Sequence, residues 1–127
     1  MCSKTKNLTM RPVLFITFFL FFFTLTINPS NAQSMSKLEK LIELSKQRIY
    51  SNPDSSLAYA LEAKQLSIDN ADSRNLSEAL KQIGIYFYIR SQFDSALLYL
   101  TQAKQHLNPA SDSAAIMKID ANIGNIF

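Results

Sequence analysis

The chain has 127 residues, with 13 basic and 10 acidic side chains and one histidine, a length that suits one domain. Three of the cations, Lys4, Lys6 and Arg11, stand just ahead of a stretch without charge from Pro12 to Ser36. Without them the remainder balances at ten against ten, which excludes the surviving basic face that nucleic-acid binding needs. The one cysteine, Cys2, lies in the same leading segment, so the remainder is held by packing and not by disulfides.

The leading segment reads as an export signal. A short basic stretch precedes the apolar run VLFITFFLFFFTLTI from Val13 to Ile27, Asn28 and Pro29 break it, and Ser30-Asn31-Ala32 supplies small residues for a peptidase. The expected cut follows Ala32, making residues 1–32 the signal peptide and placing the mature chain in the periplasm or elsewhere outside the cytoplasm. Fifteen helical residues reach only about 22 Å, against the roughly 30 Å of a bilayer core, so a cleaved signal is preferred to an anchor. The solid apolar block is unlike an Arg-rich amphipathic transit peptide, and Cys2 is too early for a lipidation cysteine.

Only Gly84 and Gly124 interrupt the chain as glycines, and no segment alternates β-branched with polar residues over a strand's length. The expectation is all-helical. A first helix is predicted from about Ser36 to Tyr50, with Leu38, Leu41, Ile42 and Ile49 on one face. Asn52 is its successor's natural cap, Pro53 suits a first helical position and Asp54 the positive end of the dipole, giving a second helix over about 54–69. Asn70-Ala71-Asp72-Ser73 is a polar break before a third, about Arg74 to Arg90, whose Leu76, Ala79, Leu80, Ile83, Gly84 and Phe87 form one stripe. A fourth covers about Asp94 to Leu107, with Ala96, Leu100 and Ala103 inward. A fifth opens near Asp112 and carries Ile116, Ile119, Ile123 and Phe127 to the last residue.

Two of these segments are nearly the same text. DSSLAYALEAK at 54–64 returns as DSALLYLTQAK at 94–104, and IGIYF at 83–87 returns as IGNIF at 123–127, each forty positions on. Recurrence of both helices with one period means stacked helical hairpins. A glycine inside a helix costs about 1 kcal/mol against alanine. Gly84 therefore marks a close crossing, with the small Ala96 and Ala103 on the helix that follows.

The unit from Ser77 to about Pro109 resembles a tetratricopeptide repeat. Leu80, Ile83, Gly84 and Phe87 fall on its first helix, Phe93 in its turn, Ala96, Leu100 and Ala103 on its second, and a proline closes it. It departs from that family in having Leu80 for the usual early aromatic, a proline one residue late, and forty residues where thirty-four is the norm. The preceding unit keeps its second helix through Leu57, Ala60 and Ala63. In its first helix Leu44 maps to Gly84 and Gln47 to Phe87, the degeneracy of a capping repeat. The resemblance spans about Lys37 to Phe127. It implies an α-solenoid of stacked antiparallel hairpins, about two and a half repeats, over residues 33–127, with Gly124 taking the part of Gly84 in the last.

No HExxH, CxxC, G-x-S-x-G or phosphate-loop pattern occurs, so no catalytic residue, cofactor or metal is assigned. His106 ends a helix, where a cation suits the dipole, and Glu39 and Glu43 lie one turn apart, as on a wet helix face. Asn75-Leu76-Ser77 matches a glycosylation acceptor. Ile85 and Tyr88 lie off the main stripe of the third helix, and Glu78 and Lys81 continue their face. Since the first helix of each hairpin lines the groove in tetratricopeptide-like proteins, the resemblance implies that Glu78, Lys81, Ile85 and Tyr88 contact a partner.

The expected function is a non-catalytic helical-repeat module that binds protein or peptide. Its arrangement is similar to the exported N-terminal regions of bacterial repeat-containing sensor kinases and regulators; a self-contained periplasmic adaptor is the alternative. Membrane contact is expected only through an uncleaved signal or a segment beyond Phe127. Because the third unit breaks off after its first helix, a truncated C-terminus is expected, with self-association through the apolar face of the last helix.

Overall fold

The computed structural model describes residues 29–127, and these are all-α: five helices and no strand among the described residues. They are α1 (Pro29–Arg48), α2 (Pro53–Asp69), α3 (Ser73–Ile89), α4 (Phe93–Gln105) and α5 (Ser113–Gly124). The apolar run Val13–Ile27 and the cations before it lie outside the described residues. Ser34–Phe127 forms one compact unit, and only the opening of α1 is described ahead of it. Among the described residues no helix is long and apolar enough to cross a membrane.

Local chemistry explains most of the boundaries. Asn52 caps α2 by accepting the backbone N–H of Ser55 at 3.1 Å, with Pro53 and Asp54 in the first turn. Asp72 caps α3 in the same way, accepting from the N–H of Asn75 at 3.0 Å; each such cap satisfies a donor that the helix leaves free. α1 begins at Pro29, seven residues before the predicted start, so the expected cut after Ala32 falls inside this helix. Nothing between Ser30 and Ser36 breaks a helix, and a proline is tolerated in the first turn.

α5 ends at Gly124, earlier than predicted, and Ile126 and Phe127 follow in a turn closed by N–H bonds to Ile123 and Gly124. Phe127, expected on the inward stripe, is 91% exposed. The helix ends at Gly124, so Phe127, about one turn past Ile123 in sequence, is not carried back to the core.

Both ends of the α2–α3 and α3–α4 junctions close alike without glycine. Ala71 (φ 52°) and Ser91 (φ 58°) take the left-handed conformation, and the next residue reaches back five positions, Asp72 N–H to Ser67 C=O and Gln92 N–H to Phe87 C=O, each at 2.9 Å. This is the Schellman arrangement, in which a left-handed residue lets the chain recover two orphan carbonyls.

Two apolar clusters meet on α3. Leu38, Leu41 and Ile42 of α1 pack with Ala63 of α2 and Ala79 of α3. Leu80 of α3 packs with Leu100 and Ala103 of α4, Leu107, and Ile119 of α5. Adjacent positions of one helix thus serve opposite neighbours, and α3 has its most extensive contacts with α4 and α2. The fully buried Ile83 lies beside Gly84, and the Phe87 ring stacks on Tyr99 of α4 at 5.3 Å, nearly parallel.

Gly84 sits where α4 comes closest. A Cβ there would lie 2.8 Å from Leu100 Cγ and 3.3 Å from the Ala96 carbonyl oxygen, so the missing side chain is what admits α4. Gly124 differs: a Cβ would meet nothing within 4 Å, because no described element approaches it, and the packing part expected of it is absent here. The α1–α2 contact corrects the register too. Its small residue is Ser45, not Leu44: Ser45 Oγ donates to the Ser56 carbonyl at 3.0 Å, and Ser56 Oγ to the Ser45 carbonyl at 2.7 Å. Both serines are buried.

Candidate functional site

A cavity of about 540 Å³ opens among α1, α3 and α5, within the range of ligand-binding clefts. Ile42, Leu107 and Ile119 give it an apolar base, and charged side chains surround them. Each helix brings one residue: Glu78 from α3 and Lys118 from α5 lie forty positions apart, and Glu39 from α1 matches them once α1 is aligned by placing Ser45 opposite Gly84, a step of 39.

Glu78 is the organising group. Its carboxylate lies 2.8 Å from Lys81 Nζ and 3.1 Å from Lys46 Nζ, and Gln82 Nε2 donates to it at 3.1 Å. Burial pushes the Glu78 carboxyl up, but the hydrogen bond and charge of Lys81, joined by Lys46, outweigh it and hold the group below its ordinary value. Lys81 is only 13% exposed at its side chain, so removing Glu78 would leave a nearly enclosed ammonium without its anion. Because Lys46 belongs to α1, the same carboxylate fastens α1 to α3.

At the other end Arg74 of α3 pairs with Asp112, the residue before α5, through both Nε (3.1 Å) and NH2. The guanidinium lowers the Asp112 carboxyl, helped by the backbone N–H of Asn108, and Arg74 is raised in return. These pairs engage both carboxylates, Glu78 and Asp112, with three cations, one in excess, and leave Glu39, Glu43 and Lys118 outside them. Glu39 and Glu43 on α1 have no cation within ion-pair distance among the described residues, Glu43 accepting only the Gln47 amide at 3.0 Å. Lys118 on α5 has no carboxylate within ion-pair distance among the described residues. All three are exposed.

The four residues expected to contact a partner separate. Glu78 and Lys81 line the cavity, whereas Ile85 and Tyr88 do not. The ten residues from Glu78 to Tyr88 span about 15 Å of helix rise, and the cavity covers only the N-terminal half of α3. Tyr88, 38% exposed, lies instead beside Phe93 with ring centres 5.9 Å apart.

Sequence reasoning missed Lys46, Arg74, Asp112 and Lys118; applying the forty-residue period to Glu78 would have found Lys118. The Asn75-Leu76-Ser77 acceptor is engaged in the fold: the Asn75 amide donates to Asp72 at 2.8 Å, and the buried Ser77 hydroxyl donates to the Ala103 carbonyl at 2.7 Å. Among the described residues no group of His, Cys, Asp and Glu is placed to hold a metal ion.

Outside the cavity, Asp54 of α2 accepts from Arg90 NH2 at 2.6 Å and from the Tyr86 hydroxyl at 3.1 Å, fastening α2 to the end of α3. Arg90 and then Tyr86 lower the Asp54 carboxyl. Lys104 of α4 reaches Asp120 of α5 at 2.7 Å. No known protein family, curated protein or solved structure matches this chain.

Proposed function

We propose that this chain is a non-catalytic helical-repeat module of tetratricopeptide-like type, stacked antiparallel hairpins whose first helices form a groove that takes up an extended segment of another protein. The observation that carries the reading is the cavity among α1, α3 and α5, with Glu39, Glu78 and Lys118 in it from equivalent positions of three successive repeats. The missing side chain at Gly84 against Leu100 and Ala96 supports the hairpin stacking, since that is the crossing the period demands. The leading apolar segment supports export, and the resemblance to repeat-containing sensor proteins supports a sensory or scaffolding part in a larger envelope protein.

A random-peptide display selection against the folded chain tests the binding part. Selected peptides are expected to lose affinity for a Glu43→Lys, Lys118→Glu variant whose circular dichroism and melting temperature match the parent. Equal affinity for parent and variant would remove the groove reading. For export, N-terminal sequencing of the secreted protein is expected to begin at Gln33, whereas an intact Met1 recovered with membranes would contradict cleavage.

A further inference from the structure

We propose that the segment taken up in this groove is dipolar: it carries a cation where it passes α1 and an anion where it passes α5. This deepens the groove reading and rests on it. The cavity's charged lining is neutral as a whole, with Glu39, Glu43, Glu78 and Asp112 against Lys46, Arg74, Lys81 and Lys118. A uniformly acidic or uniformly basic ligand therefore gains nothing from the net charge. The distribution is what is uneven.

Most of these groups are paired with one another, Glu78 with Lys46 and Lys81, and Asp112 with Arg74, which leaves a single positive charge in excess among them. Exposed charge unpaired among the described residues remains at the two ends, negative on α1 at Glu39 and Glu43, positive on α5 at Lys118. A ligand cation at the α1 end and a ligand anion at the α5 end would each meet an opposite charge, and reversing the ligand would set like against like. The equivalence of Glu39, Glu78 and Lys118 makes this a sign change along one ladder of positions: the anion at the first helix becomes a cation at the third. Two helix spacings separate the ends, about 16–20 Å. An extended chain crosses that distance in roughly six residues at ~3.3 Å each, and positions an even number apart point to the same side.

The test uses blocked heptapeptides titrated into the folded chain at fixed, low salt, with affinity and amide shifts read by NMR. One pair carries lysine at one end and glutamate at the other, in both chain directions, with five uncharged residues between. Controls carry two lysines, two glutamates, or adjacent Lys-Glu at one end. We expect one of the charge-separated peptides to bind tightest. Lys118→Glu should weaken it about three- to tenfold and strengthen the two-lysine peptide, and Glu43→Lys should favour the two-glutamate peptide. If like-charged peptides bind the parent groove as well as the dipolar ones, or if neither reversal changes the ranking, the dipolar inference falls and the groove reading stands. If no peptide, including those won by display, shifts the residues of α1, α3 and α5, the groove reading falls and takes the inference with it.

Discussion

Between α1 and α2 the contact is polar: Ser45 and Ser56 exchange hydroxyl-to-carbonyl bonds at 3.0 and 2.7 Å, and their hydroxyls lie 3.1 Å apart. Between α3 and α4 it is apolar: Gly84 has no side chain, and Leu100 occupies the space one would need. α1 and α2 pack by satisfying buried hydroxyls on the facing backbone, and α3 and α4 by letting Leu100 fill the place a side chain would take. Buried polar groups are tolerated only when paired, whereas a glycine crossing is limited by sterics alone. The two helix pairs should therefore respond to different substitutions, although their sequences resemble one another.

The largest effect is expected at the glycine. Gly84→Leu should destabilise by about 1–3 kcal/mol or more, because Leu100 is buried at 1% exposure and has no open space to swing into. Chemical denaturation reads this directly, and a neutral result would show that the α3–α4 crossing is not tight. The serine pair should behave otherwise. Ser45→Ala or Ser56→Ala alone should each cost about 1 kcal/mol by removing a donor from a buried carbonyl, and the double variant somewhat less than the sum of the two, since the hydroxyls also touch each other at 3.1 Å. Strict additivity in that double-mutant cycle would mean that the serines act independently.

Acid should act through the ties between helices. The carboxyls of Glu78, Asp54 and Asp112 are held below their ordinary values in the fold. Their stabilisation is therefore complete above the ordinary carboxylate range and is lost as pH falls through that range to their lowered folded values. A melting-temperature series from neutral to acid pH should decline through this window, and Glu78→Gln should flatten part of the decline. A decline unchanged by Glu78→Gln would assign it to other groups. The smallest effect is expected at the turns. The α3–α4 turn places Ser91 at φ 58°, so Ser91→Gly should stabilise by about 0.5 to 1 kcal/mol, the left-handed strain relieved less the entropy gained by the unfolded chain.

How much of this was legible depended on whether the signal was local. The caps Asn52 and Pro53, the helical stripes and the crossing at Gly84 were readable because residue type and spacing within one or two helices determine them. Ser45 was not, because a rigid forty-residue register points to Leu44, whereas the packed first helix aligns one residue further along. The start of α1 was missed because an uncharged polar stretch has no periodicity to show. Gly124 shows the limit of a motif: it records which residues recur, whereas close packing also needs a facing helix, and none of the described residues comes within 4 Å of a Cβ there. The pairs Lys46–Glu78 and Arg74–Asp112, 32 and 38 positions apart, follow from how helices stack, which no local pattern encodes.

The proposal that α1, α3 and α5 together hold one segment of a partner is tested most directly by amide shift mapping of the folded chain against a display-selected peptide. Saturable shifts are expected at Glu43, Glu78, Lys81 and Lys118, on all three helices, with Ile85 and Tyr88 unmoved. Shifts centred on Tyr88 and Phe93, with the three-helix cavity silent, would contradict it.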